Sequence, residues 1–260
     1  MDIVIPVYNE GHNIVKVLDS LRASVKTPFR VLICYDNEDD NTLPPIRNYS
    51  HDSFEIVLVK NRSMGAHGAV LSGFEASTAQ AVVVFPADDT SNAGIIDRMV
   101  EQFEQGCDIV AASRFMKGGC MEGCPWLKGV LVRGAAWTLH VLARVPTHDA
   151  TNGFRLFSRR VLDSIPIEST QGFAFSLELL VKCHRLGWCV DEVPARWVER
   201  TQGSSRFRVL KWIPAYLRWY GYAFATTYLQ KAPNTVTVRR ITDAPTHPDT
   251  RTAPSLLTQP

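Results

Sequence analysis

At 260 residues and 29.1 kDa the chain is long enough for a sizeable buried core, which excludes a peptide hormone or a mini-scaffold. Apolar residues make up 45% and charged ones 21%, and 28 Lys and Arg against 26 Asp and Glu leave a net charge of +2. That balance excludes a disordered chain and a strongly nucleic-acid-binding one.

The start, Met1-Asp2-Ile3-Val4, enters a strand-like run without a basic or an apolar leader region, so no secretory signal is expected. Short runs rich in β-branched residues at Ile3 to Val7, Val31 to Tyr35, Ile56 to Val59, Val82 to Phe85 and Ile109 to Ala112 predict buried parallel strands. Between them, Ile14, Val17, Leu18 and Leu21 keep a helical period, as do Ala66, Ala69, Val70, Gly73 and Phe74, and then Ile95, Met99 and Phe103. Strand, helix, strand in alternation predicts an α/β fold with a right-handed, doubly wound sheet. Beyond Gly118 a loop is expected over Lys117 to Pro125, a helix near Val130 to Arg144, a short element at Phe154 to Ser158, a helix through Phe175, Leu179 and Cys183 that stops at Gly187, and a strand over Trp188 to Val193. The segment from Phe207 to Leu229 carries eight aromatic residues and no acid. Leu210, Ile213, Leu217, Tyr220 and Phe224 fall on one helical face and Arg208, Lys211 and Arg218 on the other, which predicts an amphipathic helix that packs on the sheet or lies at a lipid interface, with Pro214 kinking it or starting a second helix. Residues 231–260, rich in Pro and Thr and without an aromatic side chain, are expected to be disordered. The domain plan is therefore 1–206 for the catalytic unit, 207–230 for the amphipathic segment and 231–260 for the tail.

The six cysteines, Cys34, Cys107, Cys120, Cys124, Cys183 and Cys189, show no paired zinc-ribbon spacing and point to a reducing cytosol. Cys120 and Cys124 are read as loop thiols, and no histidine has ligand spacing.

In a doubly wound sheet ligands bind where the carboxyl ends of the strands open into loops. Those loops are polar here: Pro6-Val7-Tyr8-Asn9-Glu10, Asp36-Asn37-Glu38-Asp39-Asp40-Asn41 and Pro86-Ala87-Asp88-Asp89-Thr90. Acidic loops facing one crevice repel unless a cation lies between them, and a divalent ion carrying a diphosphate needs only one or two protein carboxylates. The run Met64-Gly65-Ala66-His67-Gly68-Ala69 lacks the dinucleotide-binding spacing and follows the third strand. It serves helix packing or shapes a nucleotide pocket.

An ordered set of motifs adds a resemblance. Val4-Ile5-Pro6-Val7-Tyr8-Asn9-Glu10, Tyr35-Asp36-Asn37, Ala87-Asp88-Asp89, Ala112-Ser113-Arg114-Phe115, Thr151-Asn152-Gly153-Phe154-Arg155-Leu156-Phe157-Ser158, Gly172-Phe173-Ala174-Phe175 with Glu178, and Glu199-Arg200 with Gly203-Ser204-Ser205-Arg206-Phe207 resemble family-2 glycosyltransferases, in the order of dolichyl-phosphate mannosyltransferases and polyprenyl-phosphate sugar transferases. The resemblance covers Met1 to Phe207. It implies a GT-A fold, a mostly parallel sheet with helices on both faces, and a metal-dependent hexosyltransferase that moves a sugar from a nucleoside diphosphate with inversion. Pro6, Val7, Tyr8, Glu10, Asp36, Ala87 and Asp88 match positions that hold the nucleotide sugar. Asp88 and Asp89 stand where Mg2+ or Mn2+ is held, although the first acid of the usual Asp-any-Asp metal motif is replaced by Pro86. Arg114, Arg200 and Arg206 stand where such enzymes contact an acceptor phosphate, for which guanidinium forks are suited, and Arg133 is a further candidate cation for it. Asp88 and Glu178 are the catalytic candidates, Glu178 being the base that a hydroxyl acceptor requires, or else a helix-surface carboxylate. Arg155 and Asp149 are expected to form an ion pair that shapes the acceptor loop. The implied reaction is transfer to a polyprenyl phosphate by an enzyme peripheral on the cytosolic membrane face. Transfer to a soluble hydroxyl, or a catalytically degenerate nucleotide-sugar-binding protein, is the alternative.

Overall fold

A computed structural model describes residues 1–50, 53–198, 209–229, 236, 238 and 239, with the backbone alone at 209–212. The elements follow in order: β1 (Asp2–Pro6), α1 (Ile14–Ser24), β2 (Arg30–Tyr35), α2 (Leu43–Arg47), β3 (Glu55–Lys60), α3 (Gly65–Ala76), β4 (Ala81–Val84), α4 (Ile96–Glu104) and β5 (Ile109–Ser113). Then come β6 (Cys120–Glu122), α5 (Trp126–Trp137), β7 (Arg155–Ser158), α6 (Arg159–Ser164), α7 (Ala174–Arg185), β8 (Val190–Pro194), β9 (Arg196–Val198) and α8 (Val209–Tyr228).

Seven strands form one sheet in the order β3-β2-β1-β4-β7-β5-β8, and β6 pairs with β9 in a separate parallel ribbon. All the pairs of the large sheet are parallel except those of β7, which runs antiparallel to both β4 and β5. Alternation along the strands divides the core. Ile3, Ile5, Val31, Ile33, Val83, Phe85 and Val110 face α1 and α4, while Val4, Leu32, Cys34, Val82, Val84 and Phe157 face α3, α7 and α8. Every strand expected from the apolar runs is present, but β3 is not buried. It is the sheet edge, and Leu58 on it is 37% exposed.

Three further differences have local causes. The loop expected over Lys117 to Pro125 contains β6, which is held by Cys120 N–H donating to the Ala195 carbonyl at 3.0 Å. Helix α5 begins at Trp126, immediately after Pro125, four residues before Val130, and ends in a π-helical turn at Thr138–Leu142. Helix α8 runs through Pro214 without a second start, at the cost of the one N–H bond that the proline cannot donate to the preceding turn. Its packed stripe includes Trp219, 2% exposed, and Ala223, fully buried against the α7 side of the core, while Leu217 and Arg218 face outward. Trp219 is therefore a core residue. The side chains of Lys211 and Trp212 lie outside the described residues, as does most of the expected tail, in which Val236 is buried and Arg239 N–H donates to the Ser164 carbonyl at 2.8 Å.

Candidate active site

Because β1, β2, β4 and β5 are parallel, their carboxyl ends share one edge, and the antiparallel β7 begins at that same edge. The loops bearing Tyr8, Asp36, Asp88 and Arg114, and the segment 147–154, are thus gathered by topology. At about 4.8 Å between neighbouring strands, the strand ends leading to Asp88 and to Arg114 stand roughly 10 Å apart across β7.

The first two loops are stitched together by backbone N–H groups. Asn9, whose φ is 55°, donates to both carboxylate oxygens of Asp40 at 3.0 Å, and Glu10 N–H donates to Thr42 Oγ1 at 2.8 Å. Asp40 is 4% exposed and also accepts from Thr42 N–H at 2.8 Å and Thr42 Oγ1 at 2.5 Å, so it fixes the shape of the loop that presents Tyr8, itself 53% exposed. Asp36 accepts Asn61 Nδ2 at 2.6 Å and the Gly65 N–H at 3.0 Å, which ties the start of α3 to the end of β2. Gly65 sits at φ +88°, and a Cβ on Gly68 would lie 1.9 Å from Ser63 Oγ and 2.7 Å from Asn61 Oδ1. The glycine run is needed where the chain folds tightly against the Asp36 loop.

The two adjacent acids after β4 have different surroundings. Asp89 accepts Ser91 N–H at 2.9 Å, Asn92 N–H at 3.0 Å and Asn92 Nδ2 at 2.6 Å, closing its own loop. Burial pushes its carboxyl above the ordinary aspartate value, against these hydrogen bonds. Asn92 in turn donates to the Arg196 carbonyl at 2.6 Å and accepts the Arg196 N–H at 2.8 Å, which anchors the loop on β9. Among the described residues no three His, Cys, Asp or Glu side chains converge as a metal cage. With Asp89 bound into its turn and Pro86 in place of an acid, the residues present fit a divalent ion carried largely by a diphosphate and touched by Asp88.

Across β7 the arginines organise a second region. Arg114 Nε and Nη2 meet Asp149 Oδ2 and Oδ1 at 2.6 and 2.9 Å, and Nη2 also donates to Thr151 Oγ1 at 2.9 Å. Asp149 is fully buried, and its partner is Arg114, not the expected Arg155. Arg155, also fully buried, donates to the carbonyls of Ala150 at 2.7 Å, Asp149 at 3.3 Å and Ser176, so it shapes the loop before β7 through backbone oxygens. Burial lowers its pKa to about 10. The guanidinium carbons of Arg114 and Arg133 lie 5.1 and 5.5 Å from the centroid of the Phe115 ring, which brings both cations to one pocket of about 510 Å³. Its walls also include Trp137, His140 and His148. Arg200 and Arg206 lie outside the described residues.

Glu178 is fully buried rather than on a helix surface. Its oxygens accept Glu168 N–H at 2.7 Å, Ser169 N–H at 2.8 Å and Lys182 Nζ at 2.7 Å, so the carboxylate is engaged in holding the 166–169 segment onto α7. The pairing is legible in the sequence as Glu178 and Lys182 four residues apart. The pairings of Asp40 with Asn9, Asn92 with Arg196 and Asp149 with Arg114 carry no comparable sequence signal, because those partners are distant in the chain.

A mostly parallel sheet with one antiparallel strand, acidic loops at the carboxyl ends of its first strands and a cationic pocket two strands away have the architecture of a GT-A fold. The chain belongs to glycosyl transferase family 2, whose profile it matches over residues 2–166. It is 26% identical over 227 residues to polyprenol monophosphomannose synthase of Mycolicibacterium smegmatis, covering 81% of this chain and 85% of that one. It is 24% identical over 230 residues to dolichol-phosphate mannosyltransferase of Pyrococcus furiosus, covering 85% of this chain and 64% of that longer one. Among solved structures, glucosyl-3-phosphoglycerate synthase from Mycobacterium tuberculosis, in complex with Mn2+, uridine diphosphate and phosphoglyceric acid, superposes with a TM-score of 0.61 at 17% identity, over 87% of this chain and 77% of that one. At that identity the likeness speaks for the fold.

Proposed function

We propose that the chain transfers a hexose, with inversion, from a nucleoside diphosphate sugar to a polyprenyl phosphate at the cytosolic face of a membrane. The observation that carries this reading is the joining of a cationic pocket to an exposed apolar helix. Trp137 lines the pocket and lies on α5, where Trp126, Leu127, Val130 and Leu131 are 77, 55, 60 and 60% exposed. These positions recur one and four residues apart, so they share one helical face. The helix carries Lys128 and Arg133 but no acid. Such a contiguous exposed apolar face, with Trp at both ends and basic residues beside it, suits the headgroup region of an anionic lipid surface. A phosphate beside Arg114 and Arg133 with its hydrocarbon running along α5 would satisfy both surfaces. The membrane contact is thereby assigned to α5 rather than to the amphipathic segment of α8. No helix among the described residues is long and apolar enough to cross a membrane.

In this reading Pro6, Val7, Tyr8, Glu10, Asp36 and Ala87 surround the nucleotide, with Tyr8 offering a flat face and the acids accepting hydrogen bonds from base or ribose. Mg2+ or Mn2+, bound with the diphosphate at Asp88, supplies charge stabilisation to the departing group. The acceptor's ionised phosphate oxygen attacks the anomeric carbon while the bond to the diphosphate breaks, and it needs no general base. The engagement of Glu178 within the fold agrees with a site that does without one.

Incubation with nucleoside diphosphate sugars, Mn2+ or Mg2+ and a short-chain polyprenyl phosphate tests the reading. The expected result is a solvent-extractable glycolipid and stoichiometric nucleoside diphosphate. Transfer to a water-soluble hydroxyl with none to the lipid phosphate refutes the acceptor assignment, and no release of diphosphate from any donor refutes catalysis.

A further inference from the structure

One wall of the acceptor pocket is built from two stacked imidazoles backed by a buried carboxylate. Glu192, in the middle of β8, is 9% exposed. Its Oε2 accepts Thr147 Oγ1 and the His148 N–H, each at 2.8 Å, and its Oε1 meets His148 Nδ1. The His148 ring lies on that of His140, with centroids 4.1 Å apart and planes 30° apart. His140 Nδ1 is 3.0 Å from the Val145 carbonyl.

These partners settle where the protons are. A carbonyl and a carboxylate can only accept, so both Nδ1 atoms carry hydrogen and both Nε2 atoms remain for a ligand. Both residues line the pocket. The titratable or charged groups lining it among the described residues are Arg114, Arg133, His140, His148 and Cys120, with Asp149 behind Arg114 and Glu192 behind His148. Asp149 already balances the charge of Arg114. When His148 is neutral, Glu192 contributes an uncompensated negative charge at the back of a phosphate site. When His148 is protonated that charge is cancelled, and Nε2–H, which Glu192 leaves unused, becomes a charge-assisted donor on a residue of the pocket wall.

We propose that protonated His148, braced by Glu192 and stacked on His140, is a phosphate-binding residue of the acceptor pocket, so that acceptor binding takes up a proton. The inference rests on the lipid-phosphate reading above. It predicts a direction opposite to that of the ligand alone. A phosphate monoester gains negative charge as pH rises past about 6, which by itself strengthens binding to arginines. Here affinity falls instead as pH rises, since a neutral imidazole offers the phosphate no positive charge.

The test is calorimetric titration of the full chain with farnesyl monophosphate from pH 5.5 to 8.0, with farnesol as the phosphate-free control and melting temperature as the check of folding. Wild-type affinity for the phosphate is expected to fall on the order of tenfold across the range, the scale of one charge-assisted hydrogen bond. His148→Arg, whose charge is permanent, is expected to bind with affinity that is flat or rises with pH, and His148→Gln to bind weakly throughout. Wild-type affinity that is constant or rising, a His148→Arg variant that keeps the wild-type slope, or the same slope with farnesol would each overturn the proposal while leaving the lipid-phosphate reading in place. Failure of the folded wild type to bind farnesyl monophosphate at any pH would overturn both.

Discussion

Replacing Asp149 with Asn probes the buried pair that holds the proposed acceptor side together. Four donors converge on this carboxylate: Arg114 N–H at 3.1 Å, Nε at 2.6 Å and Nη2 at 2.9 Å, and Thr151 Oγ1 at 3.0 Å. The side chain is fully buried and that of Arg114 is only 12% exposed. Asparagine keeps the volume, but one acceptor oxygen becomes an NH2 group pointing at donors, and the guanidinium is left without its counter-charge. Breaking one partner of such a pair costs about 3–5 kcal/mol. For a domain of this size that corresponds to a fall in melting temperature of about 6–20 °C. The same change loosens Arg114, so the KM for the acceptor rises more than the KM for the donor. Thermal unfolding followed by circular dichroism, together with steady-state kinetics in each substrate, measures both effects. The double variant Arg114→Met/Asp149→Leu separates them. Removing both charges recovers most of the stability, while the acceptor defect persists. A melting temperature for Asp149→Asn within 2 °C of wild type would show that the pair is not the anchor its geometry indicates.

Asp88→Asn is expected to lower turnover about 10²- to 10³-fold, the usual cost of losing one stabiliser of transition-state charge; near-normal metal-dependent transfer would remove Asp88 from the site. Val130→Glu/Leu131→Glu on the exposed face of α5 is expected to abolish co-sedimentation with anionic liposomes at low salt, with nucleoside diphosphate binding retained, and unchanged sedimentation would place the lipid contact elsewhere. Arg206→Ala is expected to raise the acceptor KM by at least tenfold, in line with a lost charge-assisted phosphate contact, with equal losses for donor and acceptor counting against the assignment. At Asp2, burial raises the carboxyl pKa, but hydrogen bonds from Arg30 and Ser77 outweigh it and hold it below the ordinary aspartate value. The folded pKa is below the unfolded one, so the stabilisation is present above the unfolded value and is lost as pH falls through the folded one. Asp2→Asn is therefore expected to melt lower than wild type at pH 7, with the gap closing below about pH 4, and a gap independent of pH would refute this.

The strands and the edge they present were legible because buried parallel strands appear as short β-branched runs and their polar ends stand out against them. Elements without that contrast were not. The helix α2 reads Leu-Pro-Pro-Ile-Arg, in which two prolines suggest a loop, although prolines are accepted in a first helical turn. The strands β6 and β9 have three residues each and exist only because they pair with one another. The antiparallel setting of β7 cannot be read from four residues, yet it brings segment 147–154 to the same edge as Asp88. Pairing of charges followed the same rule. Asp149 and Arg155 are close in sequence, but strand β7 carries Arg155 down into the core, where Ser176 and the loop carbonyls receive it, and Arg114 at the end of β5 takes the carboxylate.

The replacement of the first acid of the metal motif by Pro86 becomes intelligible from what the other acids of the edge are doing. Asp40 holds the Tyr8 loop, Asp36 holds the start of α3, and Asp89 closes its turn onto Asn92 and through it onto β9. Each of these carboxylates accepts two or more hydrogen bonds from the chain, so its charge is spread over local donors and its position is fixed. On the proposed function, a cation in this cleft would depend on the donor diphosphate for most of its oxygen ligands. Such a site would bind metal weakly without nucleotide and tightly with it, since the ion and the diphosphate would complete one another's coordination. Titration with Mn2+ alone is accordingly expected to show weak binding, and titration in the presence of the nucleoside diphosphate strong binding. Equal Mn2+ affinity with and without nucleotide would mean that the protein itself furnishes a full set of ligands.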